Sequence, residues 1–315
     1  MEEAVKTRNL LAIGNTEGFN RRSLSPSSRR KMQDHSKIKA VLEKIYRKYN
    51  KSEYINTDPL QFVYHYTNPS DMEIAGLLSA QLAYGQVKQI HKSLDDLFGR
   101  MGESPRAFVD NFGDSSRRKL AGFKHRFTTG QDISDLLVLL KKVLDGYGSI
   151  EAFFVKNYSS GDKNILPALS GFCSSLLDMH AQAHKGVLPR GLRYLLPNPS
   201  AGSTCKRMNL FLRWMVRSDS VDAGLWKSVD KAKLVIPLDV HINRLSRLIG
   251  FCSRRTASLA TAVEITEHFA QIEPSDPVKY DFSLSRIGIL DNCTGRHRSG
   301  CEFCELFKFC KEKSQ

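Results

Sequence analysis

The chain has 315 residues and a mass of 35.6 kDa, with 41% hydrophobic and 25% charged residues, which suits one large globular domain or two small ones. No run of about 18 uncharged apolar residues occurs in it, which excludes a membrane-spanning helix. The start of the chain, with Glu2 and Glu3, does not resemble a secretory signal. We therefore expect an intracellular protein without a membrane partner, located in the cytoplasm or nucleoid, or in the nucleus or an organelle of a eukaryote.

The formal net charge of +14 is unevenly distributed along the chain. Residues 190–255 hold 13 Lys or Arg and 4 Asp or Glu, a net charge of +9, and residues 1–50 carry a further +7, whereas residues 51–189 are neutral. A basic block of this kind either binds a polyanion such as nucleic acid or is a solvated surface. The charge alone does not separate these two interpretations.

Hydrophobic periodicity predicts a helical protein with a tail at each end. Residues 1–35 are polar and basic without periodicity, which predicts a disordered arm. Residues 36–290 form the predicted helical region, because apolar residues there recur at intervals of three and four. Its amphipathic stretches lie at 36–49, 68–83, 87–101, 132–146, 163–178, 203–217, 240–250, 257–271 and 277–290. Alternating strand patterns are almost absent, so we predict an all-α fold, followed by a C-terminal loop at 291–315.

Four of the seven cysteines lie in that loop, in a span of 18 residues: Cys293, Cys301, Cys304 and Cys310. Without a secretory signal, this clustering indicates metal ligation and not disulfides. Four thiolates from one short segment hold either a [4Fe–4S] cluster or a single zinc ion. Zinc ribbons pair two C-x2-C knuckles and this loop has one, so we expect a [4Fe–4S] cluster, with zinc as the alternative. Arg296 and Arg298 lie inside the loop and would contact a phosphate backbone.

The loop resembles the iron–sulfur loop that closes endonuclease III-type and adenine-glycosylase-type DNA repair enzymes, with one extra residue in its first gap. The segment IAGLLSAQLAYGQVKQIHKSL is similar to the early helix pair of endonuclease III, in which a glutamine enters the DNA stack, and the matching residue is Gln81. The segment IPLDVHINRLSRLIG resembles the one that carries the catalytic aspartate of helix-hairpin-helix glycosylases, and the matching residue is Asp239. The three matches occur in the family order over residues 70–310. They imply a helix-hairpin-helix DNA glycosylase-like helical bundle.

Most of residues 40–290 also resembles a bacterial conserved hypothetical family that is labelled as a domain of unknown function. The resemblance is carried by STCKRMNLFLRWMVR, IPLDVH and DPVKYDFSL. It implies the same fold and supplies no established activity.

Asp239 is the residue that the glycosylase resemblance implies as catalytic. Cleavage of an N-glycosidic bond develops positive charge on the sugar, which a nearby carboxylate stabilises, and the same carboxylate can deprotonate an incoming nucleophile. Asp239 also precedes a helical pattern, where aspartate is a favoured N-cap. The two roles are compatible, because the aspartate of the glycosylase superfamily also opens a helix.

Lys206, in AGSTCKRMNLFLRW, is the candidate for the amine nucleophile that a glycosylase with lyase activity requires. The turn before it, residues 196–202, lacks the Gly-x-Gly of the family hairpin and keeps only Gly202. Counting from Gly202 places Thr204 at the nucleophile position, as in an enzyme without lyase activity. Lys206 is therefore either the nucleophile or a phosphate contact.

The expected DNA interface combines a phosphate-binding turn with residues around an extruded base. Backbone N–H groups at a helix N-terminus bind phosphate, and residues 199–204 precede the predicted helix of Lys206. Tyr84, Trp214 and Trp226 either stack on the extruded base or belong to the core. The residues predicted to contact DNA are Gln81, Tyr84, Gly202, Ser203, Arg207, Arg213, His241, Arg296 and Arg298.

The leading hypothesis is a monomeric base-excision glycosylase that acts on double-stranded DNA, with or without lyase activity. The alternative is a non-catalytic nucleic-acid-binding protein of the same fold with a structural iron–sulfur or zinc site, which the altered hairpin turn favours. An enzyme that acts on RNA is a third hypothesis. No motif in the sequence identifies the damaged base.

Overall fold

The computed structural model describes the backbone of residues 26–310 and the side chains of residues 35–310. Nearly all regular structure in this part of the chain is helical, which confirms the predicted all-α class. Its α-helices are α1 (Pro26–Tyr49), α2 (Pro69–Gln81), α3 (Val87–Met101), α4 (Pro105–Asp110), α5 (Asp114–Leu120), α6 (Gly130–Tyr147), α7 (Ile150–Val155), α8 (Leu166–Ala183), α9 (Arg190–Leu195), α10 (Lys206–Val216), α11 (Val240–Leu248), α12 (Leu259–Ala270) and α13 (Asp281–Ile289). A two-stranded antiparallel ribbon, β1 (Lys124–His125) and β2 (Thr128–Thr129), joins α5 to α6. None of the described helices is both long and apolar enough to cross a membrane.

The first helix begins earlier than the hydrophobic pattern indicates. α1 starts at Pro26, whereas the predicted boundary of the disordered arm lies after residue 35. A hydrophobic pattern marks only the helical turns that pack on a core, so the polar first turns of a helix give no such signal. The prediction of disorder is therefore wrong for residues 26–35, and residues 1–25 of the predicted arm lie outside the described residues.

Helices α2 and α10 pack together in the centre of the fold. α2 is buried along almost its whole length, including the polar side chains of Asp71, Glu73 and Gln81. Its N-terminus is capped by Asn68, whose side chain accepts the backbone N–H of Ser70. α10 approaches so closely that a Cβ at Gly76 would lie 2.7 Å from Cε of Met215. The helices run antiparallel, so the end of α2 meets the start of α10.

Helices α11 and α1 both pack on α13, which is joined to α10 by the ion pair between Asp281 and Arg213. Gly288 in α13 makes room for a side chain of α11, because a Cβ there would lie 2.2 Å from Nδ1 of His241. At the end of α1, the hydroxyl of Tyr49 donates a 2.8 Å hydrogen bond to the carboxylate of Asp291. These contacts tie the first described helix and the C-terminal segment to the helix that carries His241.

The segment between α10 and α11 places several of its residues in the core. Trp226 is buried, and its Nε1 donates a 2.7 Å hydrogen bond to the carboxylate of Glu73 in α2. Asp222 is buried and pairs with both Arg213 and Arg217. Trp214 is also buried. Both tryptophans therefore belong to the core, and neither can stack on a base in this arrangement.

Candidate active site and cysteine cluster

Seven of the predicted site residues lie around one cavity of about 650 Å³, which we call the charged cavity. It lies where the end of α2 meets the starts of α10, α11 and α13. The predicted residues that line it are Tyr84, Ser203, Lys206, Arg207, Arg213, Asp239 and His241. The fold therefore brings the candidate nucleophile Lys206 and the candidate carboxylate Asp239 into the wall of a single cavity.

Lys206 is the first residue of α10, and the residue before it sets its position. Cys205 has a left-handed φ of 49°, and its thiol donates a 3.3 Å hydrogen bond to the carbonyl oxygen of Pro197. The Nζ of Lys206 donates a 3.4 Å hydrogen bond to the carbonyl oxygen of Ala83, just beyond α2. The half-buried lysine amine is thus held where α2 and α10 meet.

The turn before α10 is compact although it lacks a Gly-x-Gly sequence. Residues Pro199–Ala201 form a single 3-10 turn, which ends at exposed Gly202 with a left-handed φ of 78°. The Oγ of Ser203 accepts the backbone N–H of Cys205 at 3.2 Å. The left-handed conformations of Gly202 and Cys205 turn the chain into α10 without a second glycine.

Asp239 is the N-cap residue of α11. Its Oδ1 accepts the backbone N–H of Ile242 at 2.7 Å, which confirms the capping role that the sequence predicts. The preceding Pro237 and Leu238 are buried, and Asp239 itself is half-buried in the cavity wall. The cap therefore fixes a carboxylate at the edge of the charged cavity.

His241, the second residue of α11, lines the same cavity. Burial lowers the pKa of His241 and the cations of Arg244 and Lys206 lower it too, whereas Asp239 raises it. Nδ1 of His241 lies 3.0 Å from Nη2 of Arg244, and a guanidinium can only donate, so Nδ1 accepts this bond. The imidazole is therefore neutral at pH 7, with its proton on Nε2.

Gln81 does not lie on a surface that DNA could reach. Its side chain is 0% exposed, and its Nε2 donates a 2.7 Å hydrogen bond to Sδ of Met208. The predicted role of Gln81 as a wedge in the DNA stack is therefore wrong for this structure. The physical reason is that α2 ends inside the protein, where its last turn packs against α10.

Arg207 and Arg213 are also buried, so the predicted phosphate contacts are wrong for both. Arg207 donates to the carbonyl oxygens of Gln81 and Tyr194, and its guanidinium lies 4.0 Å from the ring centroid of Tyr194. Burial lowers the pKa of Arg207. Arg213 forms an ion pair with Asp281. These two cations stabilise the interior of the protein around the charged cavity.

The cavity also contains charged residues to which the sequence assigned no role. Asp281, the first residue of α13, is 4% exposed and lines the cavity. Burial raises the pKa of Asp281 to about 6, Arg213 opposes this shift, and Asp239 adds to it. Arg286, also in the cavity wall, donates a 3.1 Å hydrogen bond to Asp58. Asp281 lies in the segment DPVKYDFSL, but no spacing rule linked that segment to Asp239.

An exposed phenylalanine near the charged cavity was also missed. Phe127 lies in the turn between β1 and β2 and is 57% exposed. It follows Arg126, which has a left-handed φ of 53°. The ring of Phe127 packs edge-on against that of Tyr194, a cavity residue, with ring centroids 4.7 Å apart. A lone aromatic residue in a turn carries no periodic signal, so only the fold reveals its position.

His125 joins this ribbon to the cavity residue Tyr84. It is fully buried, with Nε2 3.0 Å from the carbonyl oxygen of Tyr84 and Nδ1 2.9 Å from Oγ of Ser93. Because a carbonyl can only accept, Nε2 carries the proton and Nδ1 accepts from the serine hydroxyl. Burial lowers the pKa of His125, and the nearby Arg126 and Arg207 lower it further. The ribbon is therefore attached through a neutral histidine.

The four C-terminal cysteines line a second cavity of about 40 Å³, the cysteine cavity. The apolar residues that share its wall are Leu245, Leu248, Ile249, Leu306 and Phe307. In the described part of the chain, no three or more His, Cys, Asp or Glu side chains are arranged as ligands of a metal ion. The predicted ligands Cys293, Cys301, Cys304 and Cys310 thus surround a common space without converging on one point.

A basic groove of about 1200 Å³ runs between α11 and the cysteine loop. Three arginines and a histidine line it, namely Arg244, Arg247, Arg296 and His297, and the described residues that line it include no carboxylate. Asn243 lines both this groove and the charged cavity, so the two are neighbours at this residue. Arg298 is exposed outside the groove and donates to the carbonyl oxygen of Asp291.

Comparison with known proteins assigns the chain to a family whose description names no function. Residues 58–290 match the family described as "Protein of unknown function (DUF2400)". No curated protein and no solved structure matches the chain. The matched span includes Lys206, Asp239 and Asp281 and ends before the cysteine loop. Because this span covers well over half of the 315 residues, the chain belongs to the DUF2400 family.

Proposed function

We propose that this protein is a DNA N-glycosylase of the helix-hairpin-helix superfamily, which removes a damaged base from double-stranded DNA as a monomer. The observation that carries the proposal is the presence of Lys206 and Asp239, 33 positions apart, in the wall of one cavity. Each was selected from a different segment, so their meeting is not a product of one local motif. Enzymes that act on a base within DNA extrude it into a pocket, and about 650 Å³ is a typical size for a ligand pocket.

Asp239 provides the carboxylate that the reaction needs. When the bond between C1′ and the base nitrogen breaks, the electron pair leaves with the base and the sugar gains positive charge. A carboxylate fixed beside the sugar stabilises that charge without reorganisation. The hydrogen bond from Ile242 to Asp239 keeps the carboxylate in this position.

Lys206 provides the amine for a glycosylase with lyase activity. Its Nζ, as the neutral amine, attacks C1′ while the base departs with the electron pair of the glycosidic bond, and the proton that Nζ then loses passes to Asp239. Asp239 returns this proton to O4′ as the C1′–O4′ bond breaks, which leaves a Schiff base between Nζ and the opened sugar. In an enzyme without lyase activity, water attacks C1′ and transfers its proton to the same carboxylate. Lys206 then binds a phosphate beside the cavity. In both mechanisms Asp239 accepts the proton of the nucleophile, and only the nucleophile differs.

The basic groove provides the phosphate contacts that Arg207 and Arg213 cannot make. Three arginines without a carboxylate partner in the groove wall present a positive surface to a polyanion. Because the groove and the charged cavity are neighbours at Asn243, we infer that a backbone lies in the groove while one nucleotide enters the cavity. This placement supports double-stranded DNA as the partner.

The loop spacing, with a single C-x2-C knuckle, favours a [4Fe–4S] cluster over a single zinc ion as the proposed occupant of the cysteine cavity. A cubane cluster spans several ångströms, so its thiolate ligands surround it at a distance from one another, whereas zinc draws four ligands to one point. The four cysteines line one space with an apolar wall, as either metal site requires. Cys293, Cys301, Cys304 and Cys310 would hold the cluster. With four protein ligands it supplies structural cross-linking of the C-terminal loop and the end of α11.

A screen of base release tests the proposed function. Duplexes that each carry one defined lesion are mixed with excess protein, and released base is measured in a single turnover. The proposal predicts release from at least one lesion duplex and none from undamaged DNA. Tight binding to all duplexes without release would instead support the non-catalytic nucleic-acid-binding protein. Release from RNA but not from DNA would support the third hypothesis.

A further inference from the structure

Arg213 in the wall of the charged cavity is held by two carboxylates and retains one unused donor. Its Nε donates to Asp222 at 3.2 Å, and its Nη1 pairs with Asp281. Nη2 is buried and has no hydrogen-bond partner among the described residues. Arginine offers donors at all three nitrogens in one rigid plane, so the two carboxylates fix the direction of the third. A buried donor without a partner costs free energy, which a ligand acceptor recovers.

Asp281 places an acceptor beside this donor. It is 4% exposed, lines the same cavity, and comes from α13, whereas Arg213 comes from α10. The ion pair between them joins a donor and an acceptor at adjacent positions in the wall. Asp239, the proposed catalytic carboxylate, lines the same cavity as Asp281 and Arg213. The pair is therefore near the proposed reaction centre.

We propose that Arg213 and Asp281 form a base-recognition pair, which selects a nucleobase with a carbonyl oxygen next to an N–H. The carbonyl oxygen accepts from Nη2 of Arg213, and the adjacent N–H donates to Asp281. Uracil, thymine, guanine and hypoxanthine carry this edge. Cytosine and adenine carry an amino group next to an unprotonated ring nitrogen. Their amino group would face the N–H donor of Arg213, and their ring nitrogen would face the acceptor oxygen of Asp281. A site of this kind rejects the mismatched edge strongly, because its buried polar groups are left unpaired.

This inference rests on the proposed function, and equilibrium binding tests it separately from catalysis. Duplexes are prepared with a single 2′-fluoro nucleotide opposite an abasic-site analogue, because the fluorine slows glycosidic cleavage. The base is uracil or cytosine in one pair of duplexes and hypoxanthine or adenine in the other. A further duplex has abasic-site analogues at both positions. Fluorescence anisotropy at pH 7.5 gives the affinity for each duplex.

The wild-type protein is expected to bind uracil at least about fivefold more tightly than cytosine, and hypoxanthine more tightly than adenine. Asp281→Asn replaces one acceptor oxygen by an N–H donor at nearly constant size, so both ratios should fall towards one. Asp276→Asn is the matched control, because Asp276 pairs with buried Arg217 and does not line the cavity. It should destabilise the fold yet leave both ratios unchanged.

Asp281→Glu provides a second variant if Asp281→Asn does not fold. It keeps the charge that Arg213 needs but moves the acceptor by one methylene, so the ratios should again fall. Equal wild-type affinity for the two bases of each pair would overturn the inference, as would unchanged ratios in a folded variant. If no duplex binds, including the abasic one, the proposed function fails and this inference fails with it. Binding of the abasic duplex without discrimination removes the inference alone.

Discussion

The ring of Phe127 stacks on the ring of Tyr84, with ring centroids 5.1 Å apart and an angle of 26° between the ring planes. Tyr84 lines the charged cavity, and its hydroxyl donates a 2.9 Å hydrogen bond to the carbonyl oxygen of His125, so it is the fixed member of the pair. Phe127 is the exposed member, in a two-residue turn. Stacking of one base on an aromatic side chain is worth about 1–3 kcal/mol. The proposed glycosylase function therefore predicts that Phe127 fills the gap left by an extruded base.

Replacement of Phe127 by alanine should weaken binding to a duplex with an abasic-site analogue by roughly fivefold to a hundredfold, in line with the loss of one stacking contact. Binding to an undamaged duplex should change little, because it offers no gap. Val187→Ala is the control, since Val187 is 64% exposed and does not line the charged cavity. Fluorescence anisotropy measures both affinities. Wild-type affinity of Phe127→Ala for the abasic duplex would exclude Phe127 as the inserted side chain.

The sequence predicted the features that depend on local patterns. The all-α class follows from apolar spacing within each helix, and the capping role of Asp239 follows from its place before a helical pattern. The resemblance to the glycosylases placed Lys206 and Asp239 in segments that the fold brings to one cavity. Lys206 is the first residue of α10 and Asp239 is the N-cap of α11, so the predicted starts of two helices also locate both residues.

Features that depend on contacts between distant segments were not predictable in the same way. Gln81, Arg207 and Arg213 have the residue types of an exposed DNA-contacting surface, yet all three are buried. Gln81 and Arg207 are buried where α2 packs on α10, and Arg213 is buried beside its ion-pair partner Asp281 of α13. A count of basic residues cannot separate an arginine paired with Asp281 from one that faces the basic groove. Phe127 was missed because an apolar residue is expected in the core, whereas the turn of the β1–β2 ribbon leaves its ring exposed.

Charge reversal in the basic groove should weaken binding to all duplexes alike. Arg247→Glu and Arg296→Glu each remove one phosphate contact, so the slope of log affinity against log salt should fall by about 1 for each. Arg118→Glu is the matched control, because Arg118 is exposed on α5 and lines none of the three cavities described above. Titrations at several salt concentrations measure the slopes. Equal slopes for the wild type and both groove variants would mean that the groove does not bind DNA.

Loss of one cysteine ligand should remove the iron–sulfur cluster. Anaerobically purified wild type should be brown with about four irons per chain, and Cys304→Ser should lose most of the iron and the visible absorption. Cys173→Ala is the control, since Cys173 is buried in the core far along the chain from the cysteine cavity. Metal analysis and absorption spectra provide the readout. A colourless wild type with one zinc per chain would contradict the cluster assignment.

The stability of the ribbon should depend on pH through His125. The pKa of His125 is lower in the folded protein than its usual value of 6.5, so the unfolded chain binds the proton more readily. The contribution of the neutral histidine is fully present above about pH 6.5 and is lost as the pH falls from 6.5 towards the folded pKa. His125→Gln keeps a donor for the Tyr84 carbonyl and removes the titration.

Thermal unfolding midpoints at pH 7.5 and pH 5.5 measure this effect. The midpoint of the wild type should fall more between the two values than that of His125→Gln. Other histidines with lowered pKa values, such as His91 and His180, are present in both proteins and cancel in the comparison. An equal fall in both proteins would show that His125 does not titrate on unfolding in this range.

The central claim is that Asp239 and Lys206 perform base excision in the charged cavity. Asp239→Asn tests it directly, because asparagine is as good an N-cap as aspartate and so preserves the cap on α11. The carboxylate repels DNA in the ground state and stabilises the sugar cation in the transition state, so its loss should lower the rate and not the affinity. Lys206→Gln should in turn abolish borohydride trapping on DNA if the lysine forms the Schiff base.

The decisive measurement is the single-turnover rate of base release by Asp239→Asn on the lesion duplex that the wild type cleaves. We predict a rate lower by roughly a hundredfold or more, with an unfolding midpoint and a DNA affinity close to those of the wild type. Release at the wild-type rate by the folded variant would contradict the account and leave Asp239 as a helix cap alone.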